Sequence, residues 1–131
     1  MPLKNGQLSE AEEQALLMRW AEYIPELKWL FAIPNGGSRH RLEAINLKRQ
    51  GVKKGVSDLC LPLPRGGYNG LYIEMKVGRN KPSEEQKEFL RYVVSNGYCG
   101  VVCYGFDEAQ KVITKYLKGE GLEAEMAVSL S

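Results

Sequence analysis

The stretch Leu71-Tyr72-Ile73-Glu74-Met75-Lys76-Val77 is an apolar strand pattern interrupted by two charges. A strand this apolar is typically buried on both faces of a sheet, where an unpaired charge costs several kcal/mol. Side chains alternate along a strand, so Glu74 and Lys76 share one face while Met75 points to the other. Taken alone, this Glu-x-Lys pattern is more typical of an exposed ion pair, worth ~0–1 kcal/mol. The preceding strand changes that interpretation.

A second strand pattern covers residues 58–63 and begins with a carboxylate, Asp58. The turn-rich segment Pro64-Arg65-Gly66-Gly67-Tyr68-Asn69-Gly70 joins the two strands into a predicted hairpin. A turn centred near Gly66 places Asp58 opposite Glu74, and a slip of one or two residues leaves them close. The hairpin therefore brings two carboxylates and a lysine together at one end.

The rest of the chain alternates between helix and strand patterns. Helical patterns cover residues 9–23, 39–50, 82–95 and 106–117, and strand patterns cover residues 29–33, 58–63, 71–77 and 98–104. This order predicts an α/β fold, a mixed sheet of about four strands with helices on both faces. A length of 131 residues is that of one domain. We expect it to span residues 1–117, followed by a loose tail over residues 118–131.

The composition excludes several classes of protein. Apolar residues make up 44% of the chain and charged residues 26%, as in soluble globular proteins. No apolar run approaches the ~20 residues that span a bilayer, and the first six residues lack the apolar stretch of a secretion signal. Three cysteines in apolar surroundings and a single histidine, His40, argue against disulfides, a His-rich zinc site and a histidine base. We expect a cytoplasmic protein with no membrane partner.

The net charge of +2 conceals a strong asymmetry along the chain. Residues 39–81 hold ten basic and three acidic side chains, a local charge of +7, and the remaining residues carry −5. Such an asymmetry predicts a basic face that meets a polyanion. A chance cluster on a solvated surface explains the same charge, which leaves both interpretations open.

The three charges of the hairpin indicate a particular chemistry. Two carboxylates a few ångströms apart repel each other unless a cation lies between them. Mg²⁺ fits this position because it takes oxygen ligands and keeps waters and substrate phosphates in its shell. Lys76 is cationic and cannot be a ligand, but it can hold an attacking water or stabilise charge on a phosphate. This is the chemistry of in-line attack of water on a phosphodiester.

Two stretches resemble the Asp…Glu-x-Lys core of the PD-(D/E)XK nuclease superfamily, namely Gly55-Val56-Ser57-Asp58 and Ile73-Glu74-Met75-Lys76. The resemblance implies a restriction-endonuclease-like core. One departure is Ser57, which stands where the superfamily has a proline that mainly shapes the backbone. We therefore expect this substitution to leave the activity intact.

Three further stretches resemble the virus-type replication-repair nuclease (VRR-NUC) domain, especially its small standalone phage-type members. They are Glu10-Ala11-Glu12-Glu13-Gln14, Ile33-Pro34-Asn35-Gly36-Gly37-x-Arg39 and Lys81-Pro82-Ser83-x-x-Gln86. The resemblance runs from about residue 8 to residue 117, and its motifs occur in the expected order. It covers nearly the whole chain.

The resemblance implies a Mg²⁺- or Mn²⁺-dependent endodeoxyribonuclease. Asp58 and Glu74 would bind the metal together with the backbone carbonyl of Met75. Lys76 would position the attacking water. These roles are carried over from the family onto the matching residues of this sequence.

The family also has a glutamate in the first helix that reaches the metal, often through water. Glu10 matches it, and Glu13 is the alternative. Gln14 lies four residues after Glu10, so helical spacing places both on one face with Leu17. Gln86 would lie near the catalytic lysine, although a helix-surface amide explains it nearly as well.

A glycine loop and a basic segment are the candidate DNA contacts. Asn35-Gly36-Gly37 allows backbone amides close to a phosphate, although a plain turn explains the same residues. The basic side chains are assigned as a group: Arg39, Arg41, Lys48, Lys53, Lys54, Arg79 and Lys81. We assign Tyr68 and Tyr72 to the core rather than to base stacking, and Cys99 and Cys103 to packing.

Standalone members of this family resemble resolvases, symmetric dimers that cut branched DNA such as four-way (Holliday) junctions. A chain with one site needs a second copy to cut two strands, so we expect a homodimer that binds branched DNA. Its setting would be a bacterial or phage-infected cytosol. The alternatives are a low-specificity nickase or nuclease of the same superfamily and a non-catalytic DNA-binding module on the nuclease fold.

Overall fold

Residues 7–34 and 41–122 are described by a computed structural model, in which helices and strands alternate. The helices are α1 (Glu10–Ala21), α2 (Arg41–Arg49), α3 (Glu84–Ser95) and α4 (Gly105–Leu117). The strands are β1 (Phe31–Ala32), β2 (Leu59–Leu61), β3 (Leu71–Lys76) and β4 (Cys99–Tyr104), and a short 3-10 turn covers Pro25–Leu27. Among these elements, no helix has the length and apolar character needed to cross a membrane.

The four strands form one mixed sheet in the order β1-β2-β3-β4. The first three strands are antiparallel neighbours, and β4 runs parallel to β3. Within the hairpin, Leu59 pairs with Ile73 and Leu61 pairs with Leu71. This is the predicted register, and its next step places Asp58 opposite Glu74. The predicted α/β fold with a four-stranded mixed sheet is therefore confirmed.

The two faces of the sheet have different partners. On one face, Ile73 and Met75 are fully buried in a core that includes Leu17 of α1 and Ile113 of α4. On the other face, Tyr72 makes an edge-to-face contact with Phe89 of α3, at 5.2 Å between ring centroids. Because Glu74 and Lys76 alternate with Ile73 and Met75, they belong to the α3 face.

Serine capping boxes fix the starts of two helices. Ser9 accepts a hydrogen bond from the backbone N–H of Glu12 at the start of α1. Ser83 does the same for Gln86 at the start of α3, and the Gln86 side chain accepts from the Ser83 N–H at 2.8 Å. Each box satisfies backbone donors that would otherwise lack partners, so both helices begin at a defined residue.

Several elements are shorter than the sequence predicted. The strand expected over residues 29–33 is only Phe31–Ala32, since the N–H of Leu30 still donates to the Leu27 oxygen in the preceding turn. The strand expected over residues 58–63 ends at Leu61, because Pro62 has no N–H to continue a ladder. The predicted helix over residues 39–50 is α2, Arg41–Arg49.

The end of the domain also differs from the prediction. Of the tail expected over residues 118–131, the structure describes residues 118–122, and Leu122 is fully buried in the core. Packing therefore extends beyond residue 117, because Leu122 supplies apolar surface that the helix ending at Leu117 does not. Residues 123–131 lie outside the described residues.

Replacing Leu122 by alanine should therefore destabilise the protein by ~2–4 kcal/mol, as expected for a fully buried leucine. The matched control is Leu42→Ala, since Leu42 is 77% exposed on α2 and should change stability by less than ~0.5 kcal/mol. Urea unfolding measures both values. Equal effects of the two substitutions would show that Leu122 is not part of the core.

Candidate active site

Two carboxylates meet where β2 begins and β3 ends. Asp58 lies directly before β2, and its Oδ2 accepts a hydrogen bond from the backbone N–H of Met75 at 2.7 Å. Glu74 lies inside β3 and is only 1% exposed. The hairpin pairing thus holds Asp58 against the strand that carries Glu74, as the sequence register predicted.

A third carboxylate comes from a distant part of the chain. Glu10 is the first residue of α1, and oxygen atoms of Glu10, Asp58 and Glu74 all lie within 4.8 Å of one another. Carboxylate oxygens at this spacing are the ligands that Mg²⁺ and Mn²⁺ prefer. We call this group the acidic triad. Its geometry is consistent with a divalent metal site.

The surroundings of Glu74 support this assignment. Its Oε1 is buried and has no hydrogen-bond partner among the residues that the structure describes. Its Oε2 accepts from Gln86 Nε2 at 3.1 Å and lies 3.4 Å from Lys76 Nζ. One oxygen is therefore fixed by side chains, while the other is a buried acceptor without a donor. A cation would satisfy that oxygen.

The electrostatics of the triad are unfavourable without a cation. The pKa of Glu74 is raised to about 8, first by burial and then by the neighbouring Asp58, while Lys76 opposes the rise. Burial also raises the pKa of Glu10, with a further contribution from Asp58 that Lys76 and Asn80 oppose. The protein thus assembles carboxylates in a place that disfavours their charged forms.

The structure separates the two first-helix glutamates. Glu13 is not part of the acidic triad, since its Oε1 accepts a hydrogen bond from the Phe106 N–H at 3.1 Å. The geometry therefore favours Glu10 over the alternative, Glu13, and the assignment stays a prediction. Gln14 is half-buried on α1. Its place at the site stays a prediction, as does that of the Met75 carbonyl.

Sequence reasoning missed Asn80, whose side-chain amide interacts with the Glu10 carboxylate. This residue lies in the loop between β3 and α3, where the sequence predicted DNA contacts only for its basic neighbours Arg79 and Lys81. The available signal was its position, six residues after Glu74, in the connection that leaves the site.

A groove of about 820 Å³ adjoins the triad. Lys76, Gln86, Gly55 and Ser83 line it together with four further lysines and three apolar residues: Lys48, Lys53, Lys54, Lys81, Ala44, Val52 and Val56. Gly55 lets the segment before Asp58 approach α3, because a Cβ there would lie 2.6 Å from the Glu85 backbone oxygen. The structure therefore brings four of the predicted DNA contacts into one concave surface.

Of the other predicted DNA contacts, only the side chain of Arg79 is among the described residues. Arg79 is exposed but does not line the groove. Asn35-Gly36-Gly37 and Arg39 lie outside the described residues, and so does the side chain of Arg41. Their roles stay predictions.

The residues assigned to packing contribute to the interior. Tyr68 stacks at a tilt on Tyr116 at 6.2 Å, on the core side of the sheet. Tyr72 contacts Tyr98 as well as the aromatic ring of α3. Cys99 and Cys103 are fully buried, as expected for packing residues. None of these side chains belongs to the acidic triad.

Comparisons with known proteins identify the family. The model of the VRR-NUC domain matches residues 5–107. A solved structure described as a VRR_NUC domain protein has a TM-score of 0.76 and 34% sequence identity, covering 86% of this chain and 91% of that chain. A comparison with curated proteins found no match. The fold and its acidic site are those of a nuclease domain. The chain belongs to the VRR-NUC family.

The raised pKa of Glu74 makes the stability of the metal-free protein depend on pH. Between the ordinary value of 4.5 and about 8, the folded chain keeps a proton on Glu74 that the unfolded chain has lost. Stability should therefore fall as the pH rises through this range, by up to about 5 kcal/mol more in wild type than in Glu74→Gln. Urea unfolding in EDTA at several pH values measures this, and parallel profiles would contradict it.

Proposed function

We propose that this chain is a divalent-metal-dependent DNA endonuclease that hydrolyses phosphodiester bonds. The observation that carries the proposal is the acidic triad of Glu10, Asp58 and Glu74, with Lys76 beside it. Membership of the VRR-NUC family supports the same reaction class. A DNA-binding module without catalysis would have no need to keep three buried or half-buried carboxylates and a lysine together.

Each residue of the site would have its own role in the reaction. Glu10, Asp58 and Glu74 would hold Mg²⁺ or Mn²⁺, which supplies charge neutralisation at the phosphate and lowers the pKa of bound water. Lys76 orients the attacking water by donating a hydrogen bond to it, since its ammonium is a donor only. Gln86 holds Glu74 through Oε2, so the second oxygen, Oε1, would be left to bind the cation.

The groove indicates how the DNA backbone reaches this site. Lys48, Lys53, Lys54 and Lys81 line it together with Lys76, so a strand that follows the lysines arrives at the triad. Lysine contacts to phosphates position a strand without reading its sequence. The proposed enzyme therefore recognises the shape and charge of DNA rather than a base sequence.

We further propose that the enzyme acts as a homodimer on branched DNA such as four-way junctions. One chain carries one acidic triad, so paired incision of two strands requires two copies, and a two-fold axis is the simplest way to relate them. The likeness to standalone family members supports this choice. A low-specificity nickase of the same superfamily is the alternative, and the substrate comparison below separates the two.

Glu74→Ala and Lys76→Ala should each lower the cleavage rate at least ~100-fold, because each removes a group that acts on the reacting atoms. The assay compares linear duplex with a four-way junction in Mg²⁺, Mn²⁺ or EDTA. Glu22→Ala, at an exposed position after α1, is the matched control and should cut like wild type. Symmetric metal-dependent cutting of the junction alone supports the dimeric resolvase.

Three results would each contradict one of these proposals. Cleavage that survives both substitutions would remove the site assignment. Equal cutting of every substrate would retain the nuclease and discard the branched-DNA preference, whereas tight binding without any cutting by wild type would favour the non-catalytic module.

Charge reversal in the groove should weaken DNA binding and flatten its salt dependence. Lys48→Glu and Lys53→Glu each remove a phosphate contact, so the slope of log K against log salt should fall by ~1 per lysine. Lys111→Glu, at an exposed position of α4, is the matched control for net charge. Fluorescence anisotropy at several salt concentrations measures the slopes. Identical slopes for the groove and control variants would exclude the groove as the DNA path.

A further inference from the structure

The junction between β4 and α4 contacts two residues that adjoin Glu10. It consists of Tyr104, Gly105 and Phe106, and lies far from Glu10 in sequence. One contact reaches Glu13, on the same helix as Glu10. The other reaches Asn80, whose side chain interacts with the Glu10 carboxylate. The junction is therefore connected to Glu10 in two ways, through Glu13 and through Asn80.

The first connection is a helix cap supplied by another helix. The N-cap residue of α4, Tyr104, makes no side-chain cap hydrogen bond. Glu13 takes that place by accepting from the Phe106 N–H at 3.1 Å, where a carboxylate is also favoured by the helix dipole. Gly105 makes the approach feasible, since its φ is +88° and a Cβ there would lie 2.7 Å from Glu13 Oε1.

This cap fixes the position of α1 relative to the sheet. Glu13 is three residues after Glu10, so both side chains project from neighbouring positions of one helix face. A bond from Glu13 to the start of α4 limits how far α1 can rotate or slide. Because α4 itself packs on β3, the strand of Glu74, the cap ties Glu10 to the frame that carries the other carboxylates.

The second connection holds the loop that follows β3. The Tyr104 hydroxyl donates to the backbone oxygen of Asn80 at 2.8 Å. The Asn80 N–H donates to the Val77 oxygen at 3.2 Å. These bonds fix the backbone of Asn80 at both its polar groups. Hydrogen bonding by its side-chain amide lowers the pKa of the Glu10 carboxylate, against the effect of burial.

Glu10 needs such support more than its partners do. Asp58 and Glu74 belong to one hairpin and are held by hydrogen bonds to its backbone and to Gln86. Glu10 arrives on a separate helix, at a half-buried position beside the like charge of Asp58. Without restraint, its carboxylate gains solvation by turning away from the site.

We propose that Glu13 and Asn80 are positioning residues that hold Glu10 in the acidic triad, with the β4–α4 junction as their common anchor. This inference rests on the metal site of the proposed function. Neither residue touches the reacting atoms, so each acts through Glu10. Loss of a group that orients a metal ligand typically weakens metal binding ~10–100-fold.

The test measures Mn²⁺ affinity of the full chain by titration calorimetry, without DNA. Asn80→Ala, Tyr104→Phe and Glu13→Ala should each weaken Mn²⁺ binding ~10-fold, and Glu10→Gln should do the same or more. Glu13→Gln keeps an acceptor oxygen for the Phe106 N–H and should bind Mn²⁺ within ~3-fold of wild type. Glu108→Ala, an exposed acidic residue in the first turn of α4, is the matched control and should bind unchanged.

Double variants separate positioning from general stability. When Glu10 is already glutamine, Asn80→Ala and Glu13→Ala should change Mn²⁺ affinity by less than ~2-fold, since the group through which they act is gone. Thermal unfolding of every variant identifies any that fail to fold. If Glu13→Ala fails to fold, the substitutions at the exposed residues Asn80 and Tyr104 still test the inference.

Two results would overturn the inference, and they differ from each other. Equal losses of affinity in the wild-type and Glu10→Gln backgrounds would show that Glu13 and Asn80 act independently of Glu10, while the metal site stands. Absence of Mn²⁺ binding by wild type would instead remove the metal site of the proposed function, and the positioning role with it.

Discussion

The pairing register of β2 and β3 is the constraint on which the site depends. Side chains alternate with a period of two, so a slip of one residue would move Glu74 and Lys76 into the apolar core and Met75 out of it. Burial on both faces forbids that exchange, because Ile73 and Met75 fill one side completely. The same pairing brings Asp58 to the backbone of β3. The pairing register that packs the core is therefore the same register that forms the site.

The site combines residues of one hairpin with one residue of α1, and this difference determines how much of the site the sequence predicts. Asp58, Glu74 and Lys76 follow from local rules, since alternation and one turn determine where they lie. Glu10 could be assigned to the site only from a family resemblance, because no spacing rule relates a first-helix residue to a hairpin that begins 48 positions further along. The cap from Glu13 to Phe106 spans 93 positions and becomes visible only in the folded chain.

The differences between the predicted and the observed ends of helices and strands also have physical causes. Helix starts were predicted closely because capping boxes are local, as Ser9 and Ser83 show. Strand ends were predicted less well because they depend on the neighbouring strand, and β2 ends where Pro62 interrupts the ladder. Burial of Leu122 could not be read from a polar segment, since it depends on space left by other elements.

The tie between α1 and α4 has a consequence for the order in which the protein is made. Glu10 leaves the ribosome early, but the elements against which its helix packs, β3 and α4, follow in the later part of the chain. The hairpin that carries Asp58 and Glu74 also lacks its parallel neighbour until β4 emerges. A nascent chain therefore contains Glu10, Asp58 and Glu74 before β4 and α4 exist, and the acidic triad can assemble only after these two elements have been made.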